Sequence, residues 1–513
     1  MARISNRTNK LRFKNAMRKV IEPQMGIDEI GIANIQIDRK SRDDIPQILL
    51  GLQYIYTTPD LRDRVFEILE EVVPDRKGEG TDGKAATDTG RPGMDQWKIL
   101  VLSVLRLGLN ADYDRIQELA NQHGTIRQML GHGDWSDDTQ YHHQTLKDNL
   151  YLFTPEILDR ISQEVVKAGH RLLKKSPDEE LNTRVDSFVV ETDVHFPTDI
   201  NLLFDAIRKT IEISADFCAA NELTEWRQSA YLIRQLKKMY REVQRTKHST
   251  SKDEAKRKQK QEAIREVHRA YLIQAEILLE RARGTRLTLE ISCGVPVAWM
   301  GQLDDYMNDV ERQIDQIRRR VLEGETIPHE QKVFSIFEPH TEWISKGKAG
   351  VPVELGLRVC IVEDNHRFIL HHQVMEKTTD DQIAVPLVKK TKQRFPELSA
   401  ISFDKGFHSP QNQLELKELV DRIVLPKKGR LSEADKEREF HPEFVKLRHH
   451  HSAVESAINA LEAHGLDKCP DHGINGFKRY VALAVVARNI HRLGVVVREN
   501  QNERICEPPK KAA

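Results

Sequence analysis

The chain has 513 residues, 31% of them charged and 6% aromatic, with Lys plus Arg equal to Asp plus Glu at 79 each. That length exceeds one ordinary core and predicts two to four structural units, while the balanced total by itself indicates no polyanionic partner. Five scattered cysteines without CxxC spacing exclude a disulfide framework and a structural zinc site as readings. No apolar run near membrane length and no apolar h-region after Met1 are evident, so a cytoplasmic protein with no membrane contact is expected.

The distribution of charge is more telling than its sum. Arg3, Arg7, Lys10, Arg12, Lys14, Arg18 and Lys19 precede the first acid, Glu22, and form a basic arm. Apolar spacing predicts helix over 43–73, and the Gly/Thr/Asp-rich stretch from Arg76 to Gly90 reads as a linker, closing a first segment at residue 90. From 91 to 180 the pattern is all helical. Trp97, Ile99, Leu100, Leu102 and Leu105 form one stripe, Asn110 is placed to cap the next helix, Gly124 breaks it, and 140–147 gives a short polar helix. Short helices joined by tight turns suggest a helix-turn-helix-like DNA-binding domain, with a plain bundle as the other reading.

Residues 184–194 then read as a strand interrupted by acids. A helical insertion follows over 201–325, with a hairpin of helices (Ile233 to Val243, Ile264 to Leu278) and a third helix whose Tyr306, Val310, Ile314, Ile317 and Val321 sit near coiled-coil spacing. Within it, residues 234–269 hold thirteen basic side chains against five acidic ones, either a phosphate grip or a solvated helix face. Strands resume at 332–337, 354–362 and 367–374, the last two as a hairpin. Next come a helix at 380–394, a strand ending at Asp404, a helix at 410–419, a strand at 422–425, and a helix carrying Glu455; 496–513 reads as a tail. The order β-β-β-α-β-α-β-α is that of an α/β, ribonuclease H-like mixed sheet flanked by helices, spanning 181–200 and 326–495 and interrupted by the insertion.

In that order the first strand lies beside the fourth, so Asp186 and Asp404 are expected to be neighbours, and the last helix brings Glu455 to them. Three carboxylates on rigid elements suit two divalent cations, which require hard oxygen ligands. Asp404 ends an apolar strand, and Ser409 and Pro410 explain the following helix start but not the acid. Glu455 lies among Ala453, Val454, Ala457 and Ile458, which predicts a narrow solvent face in one amphipathic helix over 449–462. Asp186, Glu191 and Asp193 compete for the first position, and Asp186 and Asp193 face opposite sides of a regular strand. His449, His450 and His451 splay by about 100° per residue on a helix, which argues against zinc and leaves phosphate contacts or helix-end polarity.

Three tracts carry a resemblance: Asp186–Asp199, Asp404–Pro410 and His451–Asp467 together resemble bacterial insertion-sequence transposases of the DDE class, nearest to the ISNCY-type group. Arg91–Met94 and Tyr480–Gly494 also look like that group, so that the likeness spans roughly 90–495. The resemblance implies catalytic and metal-binding roles for Asp186, Asp404 and Glu455, two Mg²⁺ ions with Mn²⁺ as a substitute, and double-stranded DNA as partner, bound by a homo-oligomer in the cytoplasm on the nucleoid. The activity implied is cleavage of element ends and their joining to target DNA. Another ribonuclease H-like endonuclease, or a non-catalytic DNA-binding descendant, are the rival classes. Expected DNA contacts are Arg3, Arg7, Lys10 and Arg12 in the arm, together with Lys346, Lys348, Lys405 and Arg448. The chain lacks the Tyr-Arg-Glu-Lys pattern of some such transposases, having Glu462 seven residues after Glu455.

Overall fold

A computed structural model describes residues 30–72, 93–133, 137–173, 179–246, 250, 252–345 and 353–506. Arg3, Arg7, Lys10, Arg12, Lys346 and Lys348, with the 76–90 linker, lie outside the described residues. Two compact units result: the described residues up to Glu191 together with those from Leu357 onward, and Thr192–Gly356.

The N-terminal run is two helices rather than one, α1 (Asp44–Thr57) and α2 (Pro59–Glu70). Pro59 has no N–H to continue α1 and instead takes a first-turn place, where none is needed. There follow α3 (Gln96–Gly108), α4 (Tyr113–Gln122), α5 (Gly124–Met129), α6 (His143–Leu150) and α7 (Pro155–Leu172). Asp112, not Asn110, caps α4 by accepting from the Arg115 N–H at 2.8 Å, while Asn110 takes φ +47° in the turn before it. Gly124 opens α5 rather than merely ending α4, because the His123 ring accepts from the Ile126 N–H.

Then come β1 (Leu181–Thr192), α8 (Asp199–Ala220), α9 (Ser229–Arg245), α10 (Glu254–Ile291), α11 (Gly301–Ile317), β2 (Glu342–Ser345), β3 (Val353–Asp364), β4 (Ile369–Met375) and α12 (Asp380–Arg394). The chain continues through β5 (Leu398–Phe403), α13 (Pro410–Leu419), β6 (Arg422–Val424), α14 (Glu433–Glu439), α15 (Pro442–His451), α16 (Val454–Leu461), β7 (Lys468–Cys469) and α17 (Gly473–Cys506). The strand expected at 332–337 is not formed; that stretch is irregular, and the strand before the hairpin is β2, five residues later. Apolar Val333, Phe334 and Ile336 mimic a strand but are spent as packing, Val333 and Ile336 against the helices of their own unit.

In the first unit the sheet runs β3-β1-β5-β6, with β4 on β3 and β7 on β1. β1 pairs parallel with β5 (Leu181↔Leu398 to Val185↔Phe403), β5 parallel with β6, and β3 antiparallel with β4. Counting β2, it is a seven-stranded mixed sheet in a largely helical chain. One face is covered by α12 through Ile383, Leu387 and Val388, against Val185, Cys360, Val362 and Phe403.

α17 corrects the reading that no apolar run reaches membrane length: Gly473–Gln501 is long and apolar enough, yet 78% of its window is buried within the fold. It packs against α1, α7 and α3. At Gly51 on α1 and Gly494 on α17 a Cβ would collide with the carbonyls of Ile490 and Gln47, so only glycine permits so close a crossing. Asn489 of α17 then closes β4: its Oδ1 accepts from the Ile369 N–H at 2.9 Å and its Nδ2 donates to the Ile369 carbonyl at 2.8 Å.

The second unit is helical. Leu203, Ile207 and Ile211 of α8 pack with Tyr271, Leu272 and Leu278 of α10 and Val310 and Ile314 of α11. Trp226, buried, donates its indole N–H to Thr285 Oγ1 at 2.8 Å. In this unit β2 pairs antiparallel with the start of β3, Glu342↔Gly356 to Ser345↔Val353.

Candidate active site

The parallel register of β1 and β5 sets the site. Val185 stands opposite Phe403, so Asp186, within β1, and Asp404, the first residue past the end of β5, follow paired residues at the same level of the sheet. Asp404 lies beyond the last hydrogen-bonded residue of β5, where the chain turns, and its carboxylate faces the Gly406 N–H at 3.5 Å. Ser409 and Pro410 start α13 as the sequence indicates, with Ser409 accepting from the Asn412 N–H at 3.1 Å. The acid and the cap are therefore separate features.

The helix bearing Glu455 differs from the expectation. Residues 449–462 are not one helix: α15 ends at His451, and α16 starts at Val454 after a step closed by tight i→i+3 bonds such as Ser456 N–H to Ala453 at 3.1 Å. Ser452 promotes the break by donating its hydroxyl to the His449 carbonyl at 2.9 Å. Glu455 is exposed, not hemmed in, because Val454, Ala457, Ile458 and Leu461 share the buried side of so short a helix.

Electrostatics connect the three acids. Burial first, then the negative charges of Asp404, Asp380 and Glu455, push the Asp186 carboxyl up to about 6, against the Ser187 N–H that donates to it at 2.7 Å. Like charges raise one another's proton affinity only at short range, so this coupling brings Asp186, Asp404 and Glu455 to one locality. Asp380, at the start of α12, is a fourth carboxylate that the sequence reading did not include. The Ser187 hydroxyl donates to it at 2.7 Å, and a Cβ on Gly406 would lie 2.9 Å from its Oδ2. The capping box of Thr379 and Gln382 explains an acid there as an ordinary helix start, which hid it.

His451 also belongs to this locality. Its Nδ1 lies 3.1 Å from Ser402 Oγ, and burial lowers its proton affinity while the nearby Asp404 and Glu455 charges work the other way. Arg184, likewise missed, ties α15 to the sheet: its guanidinium donates to the Asp364 carbonyl at 2.8 Å and the His450 carbonyl at 3.3 Å, and lies 2.9 Å from Glu363. A cavity of about 460 Å³ in this unit is lined by Arg184, Asn365, Ser402, Arg422, Lys446 and His450, and by none of the three acids.

Lys405 and Arg448 are both exposed in this unit, at the turn after β5 and on α15. Glu191 is half-buried near the end of β1, and Asp193 is exposed past that end. Among the described residues no group of three His, Cys, Asp or Glu side chains is drawn together tightly enough to hold a metal ion. The acids interact through charge without closing into a cage.

Residues 316–490, about a third of the chain, match the family model of the transposase DDE domain. Over that segment the chain is similar to transposase DDE domains. The matched segment contains Asp404 and Glu455 but not Asp186, whose place beside them rests on strand register and charge coupling. An insertion-sequence DDE transposase is the assignment this domain supports. No curated protein and no solved structure matches the chain.

Proposed function

We propose that this chain is a DNA transposase that cleaves the ends of an insertion sequence and joins them to target DNA by metal-dependent phosphoryl transfer, with Asp186, Asp404 and Glu455 as its catalytic acids. The observation that carries the reading is the convergence of those carboxylates from β1, the end of β5 and α16. The strand order β4-β3-β1-β5-β6 supports a ribonuclease H-like scaffold.

The donor set fits a hard divalent cation, Mg²⁺ or its substitute Mn²⁺: it is all carboxylate oxygen, and burial together with the neighbouring negative charges raises the proton affinity of Asp186. Asp186 and Asp404 would hold one ion and Glu455 would complete the site for a second. When bound, the ions supply Lewis-acid activation of the attacking hydroxyl and neutralise charge on the transferring phosphoryl group. The chain's own part is placement. β1 and β5 fix two carboxylates through backbone hydrogen bonds, and Arg184 holds α15, and with it His451, against the sheet. No Ser or Tyr nucleophile is required.

Double-stranded DNA is the partner. The basic arm and the α3–α7 helices bind element ends, Lys346, Lys348, Lys405 and Arg448 contact phosphates, and a homo-oligomer holds two ends at once, in the cytoplasm on the nucleoid. The exposed cations Arg234, Lys237, Lys238, Arg241, Lys256, Arg257, Lys258 and Lys260 on α9 and α10 give the second unit its own phosphate-binding surface. Asp404→Ala is expected to abolish strand transfer on a donor plasmid carrying the element while end binding in a gel shift is unchanged. Transfer at the wild-type rate would remove Asp404 from the site.

A further inference from the structure

α10 is 38 residues long and buries one face, including Tyr271, Leu272, Ala275, Leu278, Leu279, Ala282 and Leu289, in its own unit. The opposite face is not the polar surface that a solvated helix normally presents. Ile273, Ile277, Leu287 and Ile291 are 52%, 57%, 54% and 72% exposed. With Glu280 and Gly284 they recur at spacings of four, three, four, three and four, which keeps all six within an arc of about 80° at 3.6 residues per turn. This is the seam of a two-helix coil. Gly284 is informative because nothing in its own chain requires it: a Cβ there would meet no atom within 4 Å. A glycine inside a long helix weakens it, whereas it suits a second helix that must approach closely.

We propose that this stripe is the contact between two copies of the chain, paired antiparallel about Ala282. The pattern is self-complementary about that point. Ile273 meets Ile291 of the second copy, Ile277 meets Leu287, and Glu280 meets Gly284, where the absent side chain leaves room for the carboxylate. A parallel pairing would instead set Glu280 against Glu280 in the seam. The charges agree with the antiparallel register, since Arg283, which already pairs with Glu280 at 2.6 Å and Glu311 at 2.9 Å, flanks the place where the second copy's Glu280 arrives. The isologous contact so formed has the two-fold symmetry usual for homodimers. It gives the oligomer of the proposed function a surface, yet it stands or falls by molecular mass and not by transposition.

The test is sedimentation equilibrium of the full chain, freed of nucleic acid, over nanomolar to micromolar concentration. The wild type is expected to reach twice 59.2 kDa. Ile277→Glu with Leu287→Glu, both exposed and so harmless to the fold, should weaken association at least 100-fold with an unaltered melting curve. A wild type that stays monomeric, or a dimer indifferent to both glutamates, overturns the proposal. Register is read by mixing: Ile273→Glu with Ile291→Lys should restore a mixed dimer, and restoration by Ile273→Glu with Ile273→Lys instead would overturn the antiparallel arrangement.

Discussion

Arg286 in the helical unit lies 3.0 Å from Asp304, and hydrogen bonding to that carboxylate raises its already high proton affinity; Asp186 in the sheet unit has three carboxylates for company. The helical unit repeats its pattern at Arg283 with Glu280 and Glu311, and at Arg319 with Asp315 and Glu325. One region distributes opposite charges as matched surface pairs; the other gathers like charges around Asp186 of β1. Matched exposed pairs contribute little to stability. Unmatched, partly buried ones cost stability, and a protein retains them where function requires it.

The contrast can be broken most severely at the acids. Glu455→Gln should lower strand transfer by about 10³-fold or more while leaving the melting temperature nearly unchanged, because Glu455 is exposed. A large drop in melting temperature would show that the residue serves the fold. The first unit's stability comes instead from close packing, so Gly494→Ala, which drives a Cβ into the Gln47 carbonyl, should cost about 3 kcal/mol or more in denaturant unfolding.

Glu363 sharpens the comparison, because it is a buried acid with a cation beside it. Arg184 lies 2.9 Å away, but Glu363 Oε2 makes no directed hydrogen bond, and burial pushes the carboxyl up to about 7 from 4.5. Its folded-state affinity for the proton is raised, so its stabilising contribution is complete below about pH 4.5 and is lost as pH rises through 7. That loss is about 3 kcal/mol. Glu363→Gln should flatten the stability curve over this window, as followed by chemical denaturation at several pH values; an unchanged slope would mean that the Arg184 contact already compensates the charge. The smallest effect belongs to the helical unit: Arg286→Ala should change stability by about 1 kcal/mol or less.

Much of this architecture could be read from residue order. The hairpin of β3 and β4, α12, the strand ending at Asp404 and α13 all stand within about two residues of the expected places, because apolar runs there alternate with strong caps such as Ser409–Pro410. Periodicity failed where local chemistry outweighed it. Pro59 split one apolar run into two helices, Ser452 broke another, and Val333 to Ile336 packed without pairing. Asp380 and Arg184 escaped notice for a different reason. A carboxylate at a helix start and an arginine on a strand each have ordinary local explanations, and only the fold shows that they border the same acids. The exposed stripe on α10 was concealed likewise, since sequence periodicity reports that a face is apolar, not whether a neighbour covers it.

The central claim is that Asp186, Asp404 and Glu455 share divalent cations. Crystals of the protein soaked in Mn²⁺ and measured at the manganese absorption edge test it directly. Anomalous density bounded by those three carboxylates, and absent from Asp186→Asn crystals, is the predicted result. Manganese bound only elsewhere, or three carboxylates with no ion between them at saturating metal, would contradict it.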